Sequence, residues 1–391
     1  MPANLARTHD VSSYTPLMTI VHGSDHDSGG FNRSLHGFRG LAAIAVFFHH
    51  VYAGAVSADF WPAAAPAWLA VTLHSGMFGV ELFFMISGYL ITGSVIRHGN
   101  ALRFLEDRII RIYPALTIVL GCIFIAGPIV HYGLLTDITP ARYVRDLLSN
   151  FLLLPGVFDL PIVLVVAWSL SYEALFYLLC AAVYMQAVRG TRWLALAVAV
   201  GSALLLIPLH PRAVFFLPGI AVWFWGRRLR GRLPVEPLLL MLVFGFAWRG
   251  FVERHPCNSW ITGGCGVPEA STAGLGLALL AIVAGTLLFA AVVSGAGLLP
   301  RLLQTRLFQF LGTISYSFYL WHTLVMFVIK RILARTMDVA AAPEVATWLF
   351  ALLSLPPALF VSWLSYECAE VRIGRWLRRR RAPSASMAVA G

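Results

Sequence analysis

Long apolar stretches alternate with short polar segments along this chain of 391 residues. Most stretches are about 17–25 residues long, which matches the hydrocarbon thickness of a bilayer at 1.5 Å of rise per helical residue. The core of a soluble domain does not produce so many long runs in succession, so the pattern predicts membrane-spanning helices. The predicted stretches are 38–56, 77–96, 113–134, 167–187, 193–209, 213–226, 234–248, 272–295, 313–332 and 344–366.

The predicted fold is all-α, a polytopic integral membrane protein with about ten transmembrane helices. Residues 1–34 are polar and lack the apolar core of a signal peptide, so they are expected to form a flexible cytoplasmic tail. Residues 35–376 form the predicted transmembrane domain, and residues 377–391 are expected to form a basic cytoplasmic tail. The segments 63–75 and 142–158 are candidates for interfacial or re-entrant pieces.

Composition supports a membrane protein and argues against a nucleic-acid partner. Hydrophobic residues make up 59% and charged residues 12% of the chain, whereas soluble domains carry about 25% charged residues. The net charge is +11, but the basic residues are nearly all arginines (Lys330 is the one lysine) and they lie between apolar stretches. That distribution is typical of residues that set topology and face lipid headgroups.

The distribution of basic residues also predicts the orientation. With a cytoplasmic N-terminus and ten spans, the inside segments hold 21 of the 29 basic residues and the outside segments hold eight. The positive-inside rule therefore favours both termini in the cytoplasm. Cys257 and Cys265 then share an exterior loop, where a disulfide is permitted and its formation stays open. The five cysteines show no metal-binding spacing, so no metal site is expected.

The first predicted helix carries two candidates for chemistry, Arg39 and His50. Eleven residues make about three helical turns, so the two side chains lie on nearly the same face, roughly 16 Å apart along the axis. His49 points about 80–100° away. A neutral histidine is suited to take a proton from a hydroxyl near neutral pH. The alternative is a histidine that only hydrogen-bonds to a neighbouring helix.

A second group of candidates follows in the segment Arg108-Ile-Ile-Arg111-Ile-Tyr-Pro114. Arg108 and Arg111 lie three residues apart on one helical face, at the same predicted rim as Arg39. Converging guanidiniums bind phosphates through forked, charge-assisted hydrogen bonds. Topology determination is the alternative for any single arginine. Pro114 is expected to mark a helix start.

Two acidic residues in apolar surroundings pose a choice of roles. Glu173, in the segment 168–177, could orient or balance the charge of a histidine, or could pair with an arginine. Glu81 poses the same choice. His322 ends a segment of small, aromatic and polar residues, and all of them except His322 are expected to hold helices together.

Taken in order, these segments resemble the membrane-bound acyltransferase family usually called acyltransferase 3. The family pattern is Arg and His eleven residues apart in the first helix, followed by five further motifs. The matching segments here are Gly79–Tyr89, Arg108–Pro114, Trp168–Tyr177, Ser315–His322 and Tyr366–Val371, and the similarity covers about 36–376. Two departures are His36, where the family often has Asp, and the absence of the usual proline after Glu370.

The resemblance implies an acyl-CoA donor, most often acetyl-CoA, bound from the cytoplasm at the bacterial cytoplasmic (inner) membrane. It implies that Arg39 and His50 are the essential pair, that Arg39, Arg108 and Arg111 hold the donor, and that Glu173 is the acid of the fourth motif. The implied acceptors carry carbohydrate: envelope polysaccharides, lipid-linked sugars or lipo-oligosaccharides. Either His50 deprotonates the acceptor hydroxyl directly, or the acyl group is relayed through the protein.

Three alternatives remain at the level of sequence. The acceptor could be a macrolide-type secondary metabolite. A secondary transporter would also have about ten helices, but it should show two pseudo-symmetric halves, and the chain shows no such repeat. A non-catalytic scaffold would not require Arg39 and His50 to share a face.

Overall fold

The computed structural model describes residues 31–229, 235–254 and 272–381. Within these ranges the regular structure is helical, apart from one isolated bridge between Pro155 and Phe158. The helices are α1 Arg33–Val56, α2 Ala67–Ser75, α3 Gly79–His98, α4 Ala101–Ala126, α5 Pro140–Phe151, α6 Ala167–Val188, α7 Arg192–Leu209, α8 Phe216–Leu229, α9 Pro237–Arg254, α10 Thr272–Ser294, α11 Leu298–Leu303, α12 Arg306–Thr336, α13 Pro343–Ser365 and α14 Gly374–Arg381. A 3₁₀ segment, Pro211–Phe215, precedes α8, and a π-helix, Tyr366–Ile373, precedes α14.

Within the described residues, seven helical stretches are long and apolar enough to cross a membrane. They are Arg33–Val56, Ala67–His98, Ala101–Ala126, Ala167–Val188, Ala273–Ser294, Arg306–Thr336 and Pro343–Arg380. The all-α membrane fold is thereby confirmed. The helices α7, α8 and α9 are not among the seven, so the count of ten and the cytoplasmic side of both termini stay predictions.

The two segments that are candidates for interfacial or re-entrant pieces contain short helices. Residues 63–75 contain α2, which continues through a short 3₁₀ turn into α3. Residues 142–158 contain most of α5, which has Thr139 as its N-cap and Pro140 in its first turn. Cys257, Cys265 and most of the two predicted tails lie outside the described residues.

Helix α1 lies between α12 and α3, in contact with both. A Cβ placed on Gly40 would lie 2.8 Å from the backbone nitrogen of Gly312, and one on Gly312 would lie 2.2 Å from the carbonyl oxygen of His36. Gly79 of α3 is equally close to α1, 2.5 Å from the carbonyl oxygen of Ala42. Small residues let membrane helices approach at backbone contact, so α1 holds its polar side chains inside the bundle.

The prediction that Pro114 marks a helix start is wrong. Helix α4 starts thirteen residues earlier, at Ala101, because the side chain of Asn100 accepts the backbone N–H groups of Leu102 and Arg103 at 2.9 and 3.0 Å. Pro114 therefore lies inside the helix. A proline removes one backbone hydrogen bond, and membrane helices tolerate this loss where neighbouring helices pack around them.

Glu81 is part of a buried ion pair that joins three elements. Its carboxylate accepts hydrogen bonds from Arg212 Nε at 2.5 Å and Nη2 at 3.0 Å, and from Trp248 Nε1 at 3.1 Å. Arg212 also stacks on the ring of Trp168, 4.6 Å from its centroid. Of the two roles open for Glu81, the geometry favours structural pairing with an arginine.

Candidate active site

Five charged side chains from four helical segments interact electrostatically at one end of the bundle. This arginine cluster comprises Arg39 of α1, Arg108 and Arg111 of α4, Glu173 of α6 and Glu370 of the π-helix. A third carboxylate, Asp107, bonds to His98 and also interacts electrostatically with Arg108. Three guanidiniums that converge inside a bundle form a site that can bind an anionic ligand through forked hydrogen bonds.

Hydroxyl groups hold both carboxylates of the cluster in place. Glu173 Oε1 accepts hydrogen bonds from Ser87 Oγ and from Tyr177 Oη, both at 2.6 Å. Glu370 Oε1 accepts one from Ser317 Oγ at 2.7 Å. The charged neighbours of Glu173 are arginines, so the geometry favours the pairing alternative over direct contact with a histidine.

Arg108 has hydrogen-bonding capacity left over. Its Nη2 donates to Ser94 Oγ at 3.2 Å, and its guanidinium lies 5.6 Å from the ring centroid of Phe104. Its Nε is buried and has no hydrogen-bond partner within the described ranges. A buried donor without a partner costs free energy, which an anion in the cluster would recover.

Four histidines gather farther along α1. His50 lies 5.1 Å from His322 and 5.2 Å from His49, measured between ring centroids, and His49 lies 5.4 Å from His74. We call these residues the histidine cluster. His49 and His50 face different partners, as the sequence predicts, because Nδ1 of His49 bonds to the carbonyl oxygen of His74 at 3.0 Å.

The ring of His322 is fixed by its own helix. Its Nδ1 lies 2.9 Å from the carbonyl oxygen of Phe318, and since a carbonyl only accepts, Nδ1 carries the hydrogen. In the neutral ring Nε2 is therefore an acceptor. That nitrogen is buried and has no partner in the described part of the chain. The His322 ring that carries it lies beside the ring of His50.

His50 lines a cavity of about 490 Å³, which we call the histidine cavity. Polar side chains on its wall come from three parts of the chain. They are His50, Ser57, Tyr132, Thr323 and Lys330. Burial raises the pKa of the Tyr132 phenol to about 12, so this hydroxyl stays protonated at neutral pH.

A second cavity, of about 450 Å³, lies between α3, α6, α7 and α8. Its walls are almost entirely apolar, and the one polar pair there is Tyr172 Oη with His210 Nδ1 at 2.8 Å. It contains neither His50 nor any arginine of the cluster. The one histidine among its described lining residues, His210, is already bonded to Tyr172, and none of the predicted site residues lines this cavity, so the histidine cavity is the better candidate for chemistry.

The predicted site residues thus fall into two groups on one helix. The structure brings Arg39, Arg108, Arg111 and Glu173 together, and it places His50 three turns along α1 with His322. Sequence reasoning did not assign Glu370 to the site. The available sequence signal was the missing proline after Glu370. Without that proline the chain continues through Glu370 as a π-helix, and π-helices are frequent at functional sites.

Comparison with known proteins identifies the family. The acyltransferase domain model Acyl_transf_3 matches residues 32–367. The acyltransferase MdmB of Streptomyces mycarofaciens is 28% identical over 89% of this chain and 93% of its own length. The peptidoglycan O-acetyltransferase OatA of Listeria monocytogenes is 23% identical over 87% of this chain, which spans 55% of that relative.

The exopolysaccharide production protein ExoZ of Rhizobium meliloti is 29% identical over 66% of this chain and 78% of its own length. No solved structure matches the chain significantly. These relatives favour an enzyme over a transporter or a scaffold. Since the family model covers most of the chain, the protein belongs to the Acyl_transf_3 family and is a membrane O-acyltransferase.

Proposed function

We propose that the protein transfers an acyl group, most often acetyl, from acyl-CoA to a hydroxyl of a carbohydrate-containing acceptor in the bacterial cytoplasmic membrane. The observation that carries the proposal is the pairing of an anion-attracting cluster at Arg39 with a histidine-lined cavity three turns farther along the same helix. Two relatives bear names that refer to peptidoglycan and exopolysaccharide, which supports a carbohydrate acceptor.

The arginine cluster suits the phosphates of the donor. Arg108 and Arg111 supply planar forks that bind phosphate oxygens in pairs, and Glu173 and Glu370 attract the guanidiniums electrostatically when no anion is bound. The long flexible arm of CoA would carry the thioester from Arg39 toward His50, roughly 16 Å along α1.

His50 is the base in this proposal. It takes the proton of the acceptor hydroxyl while the hydroxyl oxygen attacks the thioester carbon, the carbon–sulfur bond breaks and an ester forms. The proton held by His50 then passes to the thiolate, so the products are free CoA and the acylated acceptor. His322 acts through His50, because its ring lies next to the ring of His50 and its Nε2 has no partner among the described residues.

The test uses the purified full chain in lipid nanodiscs with acetyl-CoA. Thiol release from acetyl-CoA is measured with and without added cell-envelope glycan. Acetylation of the glycan itself is then compared between acetyl-CoA and acetyl phosphate, which lacks the nucleotide and the long arm and releases phosphate instead of a thiol. We expect glycan-dependent thiol release that His50→Ala abolishes. Equal transfer from acetyl phosphate would contradict the proposed donor, and release unaffected by His50→Ala would contradict the proposed base.

A further inference from the structure

The histidine cavity holds one cation that the proposed reaction does not use, Lys330. Among the described residues that line the cavity, no other arginine or lysine and no carboxylate is present. The ammonium group lies 3.5 Å from Ser57 Oγ, and the described part of the chain contains no ion pair with Lys330. The cavity therefore presents an unpaired positive charge.

The neighbouring cation, Arg331, has a different task. Its guanidinium donates to the carbonyl oxygens of Val130 and His131, and it stacks on Phe327 at 4.8 Å. These contacts hold the turn that carries Tyr132, which forms one wall of the cavity. Arg331 is thus committed to the backbone, whereas Lys330 is available to a ligand.

The position of Lys330 relative to His50 follows from its partner Ser57. The N–H of Ser57 bonds to the carbonyl oxygen of Ala53 at 3.0 Å, so the helical path of α1 continues to this residue. Seven residues make two turns, about 10 Å, and return to the same face. A ligand hydroxyl at His50 and a second ligand group at Lys330 would occupy one cavity, about two turns apart.

We propose that Lys330 recognises an anionic group, a carboxylate or a phosphate, on the acceptor whose hydroxyl faces His50. This inference rests on the proposed function and narrows its substrate class to acidic or phosphate-linked glycans. Lysine offers a compact point charge rather than a fork, which suits one anionic oxygen on a flexible glycan. The hydroxyl of Thr323, buried at the cavity wall without a described partner, offers a further hydrogen bond.

The test uses membranes from the source organism, with the gene deleted and then resupplied as wild type or variant. The variants are Lys330→Gln, Lys330→Arg, His50→Ala and Arg335→Gln. Arg335 is an exposed cation in the last turn of α12 that does not line the cavity, so it controls for long-range attraction. The membranes are adjusted to equal amounts of the protein, as measured by immunoblot, and are then given radiolabelled acetyl-CoA. The labelled product is separated by anion exchange.

We expect Lys330→Gln to lower the initial rate by at least about tenfold, the ratio that one lost charge contact of 1.4 kcal/mol gives. Lys330→Arg should keep most of the rate and Arg335→Gln all of it, and the product should bind the anion exchanger. If the labelled product no longer binds the anion exchanger after carboxyl reduction, the anionic group is a carboxylate. If it no longer binds after mild acid hydrolysis, the group is a sugar phosphate.

A labelled product that does not bind the exchanger would overturn the inference while leaving the acyl transfer intact. So would equal rates for Lys330→Gln and the wild type. Incorporation by the wild type that does not exceed that of His50→Ala would instead overturn the proposed function, and the Lys330 inference with it.

Discussion

The imidazole rings of His50 and His322 lie 5.1 Å apart, although the residues belong to the first and one of the last helices of the bundle. His322 is fully buried, and its Nδ1–H is committed to the carbonyl of Phe318. Its remaining nitrogen lacks a partner within the described ranges. This free acceptor beside His50 is the feature from which we propose that His322 positions the base.

The first prediction separates two adjacent histidines. His50→Ala should lower acyl transfer by about 10²–10⁴-fold, the usual cost of removing a positioned base. His49→Ala should keep most of the activity, because His49 Nδ1 bonds to the carbonyl oxygen of His74 and His49 is not among the described residues that line the histidine cavity. The measurement is thiol release from acetyl-CoA at matched protein amounts, and equal activity in the two variants would refute the assignment of His50.

The second prediction concerns the free nitrogen of His322. The side-chain amide of asparagine can make the hydrogen bond that Nδ1 of His322 makes to the carbonyl oxygen of Phe318. The longer side chain of glutamine instead places its amide at the position of Nε2. If Nε2 positions His50, His322→Gln should retain more activity than His322→Asn, and His322→Asn should also shift the pH dependence of kcat/KM. A purely structural role predicts the opposite order, since only the asparagine preserves the bond within α12, and it predicts an unchanged pH profile.

The third prediction concerns the donor. Replacing both Arg108 and Arg111 by alanine should weaken CoA binding, and lysine at either position should rescue poorly because it lacks the fork. Arg301, an exposed cation in α11 near the same end of the bundle, provides the control, and Arg301→Gln should leave CoA affinity unchanged. Titration of CoA onto the purified protein measures this, and unchanged affinity in the double variant would leave topology as the arginines' role.

The sequence predicted the parts of the site that one helix carries. The spacing of Arg39 and His50 follows from helical periodicity alone, and the two residues share α1. The partners of His50 could not be read in this way, since the contact with His322 depends on how α1 and α12 pack. Residues in separate helices meet only through tertiary contacts, which periodicity does not encode.

Two further misses have local causes. Pro114 looked like a helix start because proline favours that position, but the cap at Asn100 starts α4 earlier. Glu370 reaches the arginine cluster from a π-helix. Such a segment changes which face a side chain occupies, so α-helical periodicity does not place Glu370.

The fourth prediction concerns stability. Glu81→Gln removes the partner of a buried arginine, Arg212, and should lower the free energy of unfolding by about 3–5 kcal/mol. The matched control is Glu253→Gln, which breaks a pair with Arg249 of similar length, 2.6 Å, but with a largely exposed carboxylate. Its effect should be at most about 1 kcal/mol. Unfolding of the detergent-solubilised protein measures both, and equal losses would show that burial does not matter here.

The last prediction fixes the membrane orientation, on which the donor site depends. Reporter fusions after residues 34 and 385 should both report the cytoplasm, and a fusion after residue 265 should report the exterior. The physical reason is the excess of arginines in the predicted inside segments, while the segment 57–74 after α1 carries no basic residue.

All three fusions are needed because α7, α8 and α9 are not among the seven long apolar helices. If one of them does not cross the membrane, the fusions after residues 265 and 385 still lie on opposite sides while the N-terminus changes side. An exterior reporter after residue 34 would place Arg39 away from cytoplasmic CoA. The arginine cluster would then have to bind another anion, and the proposed donor would be wrong even if His50 proved essential.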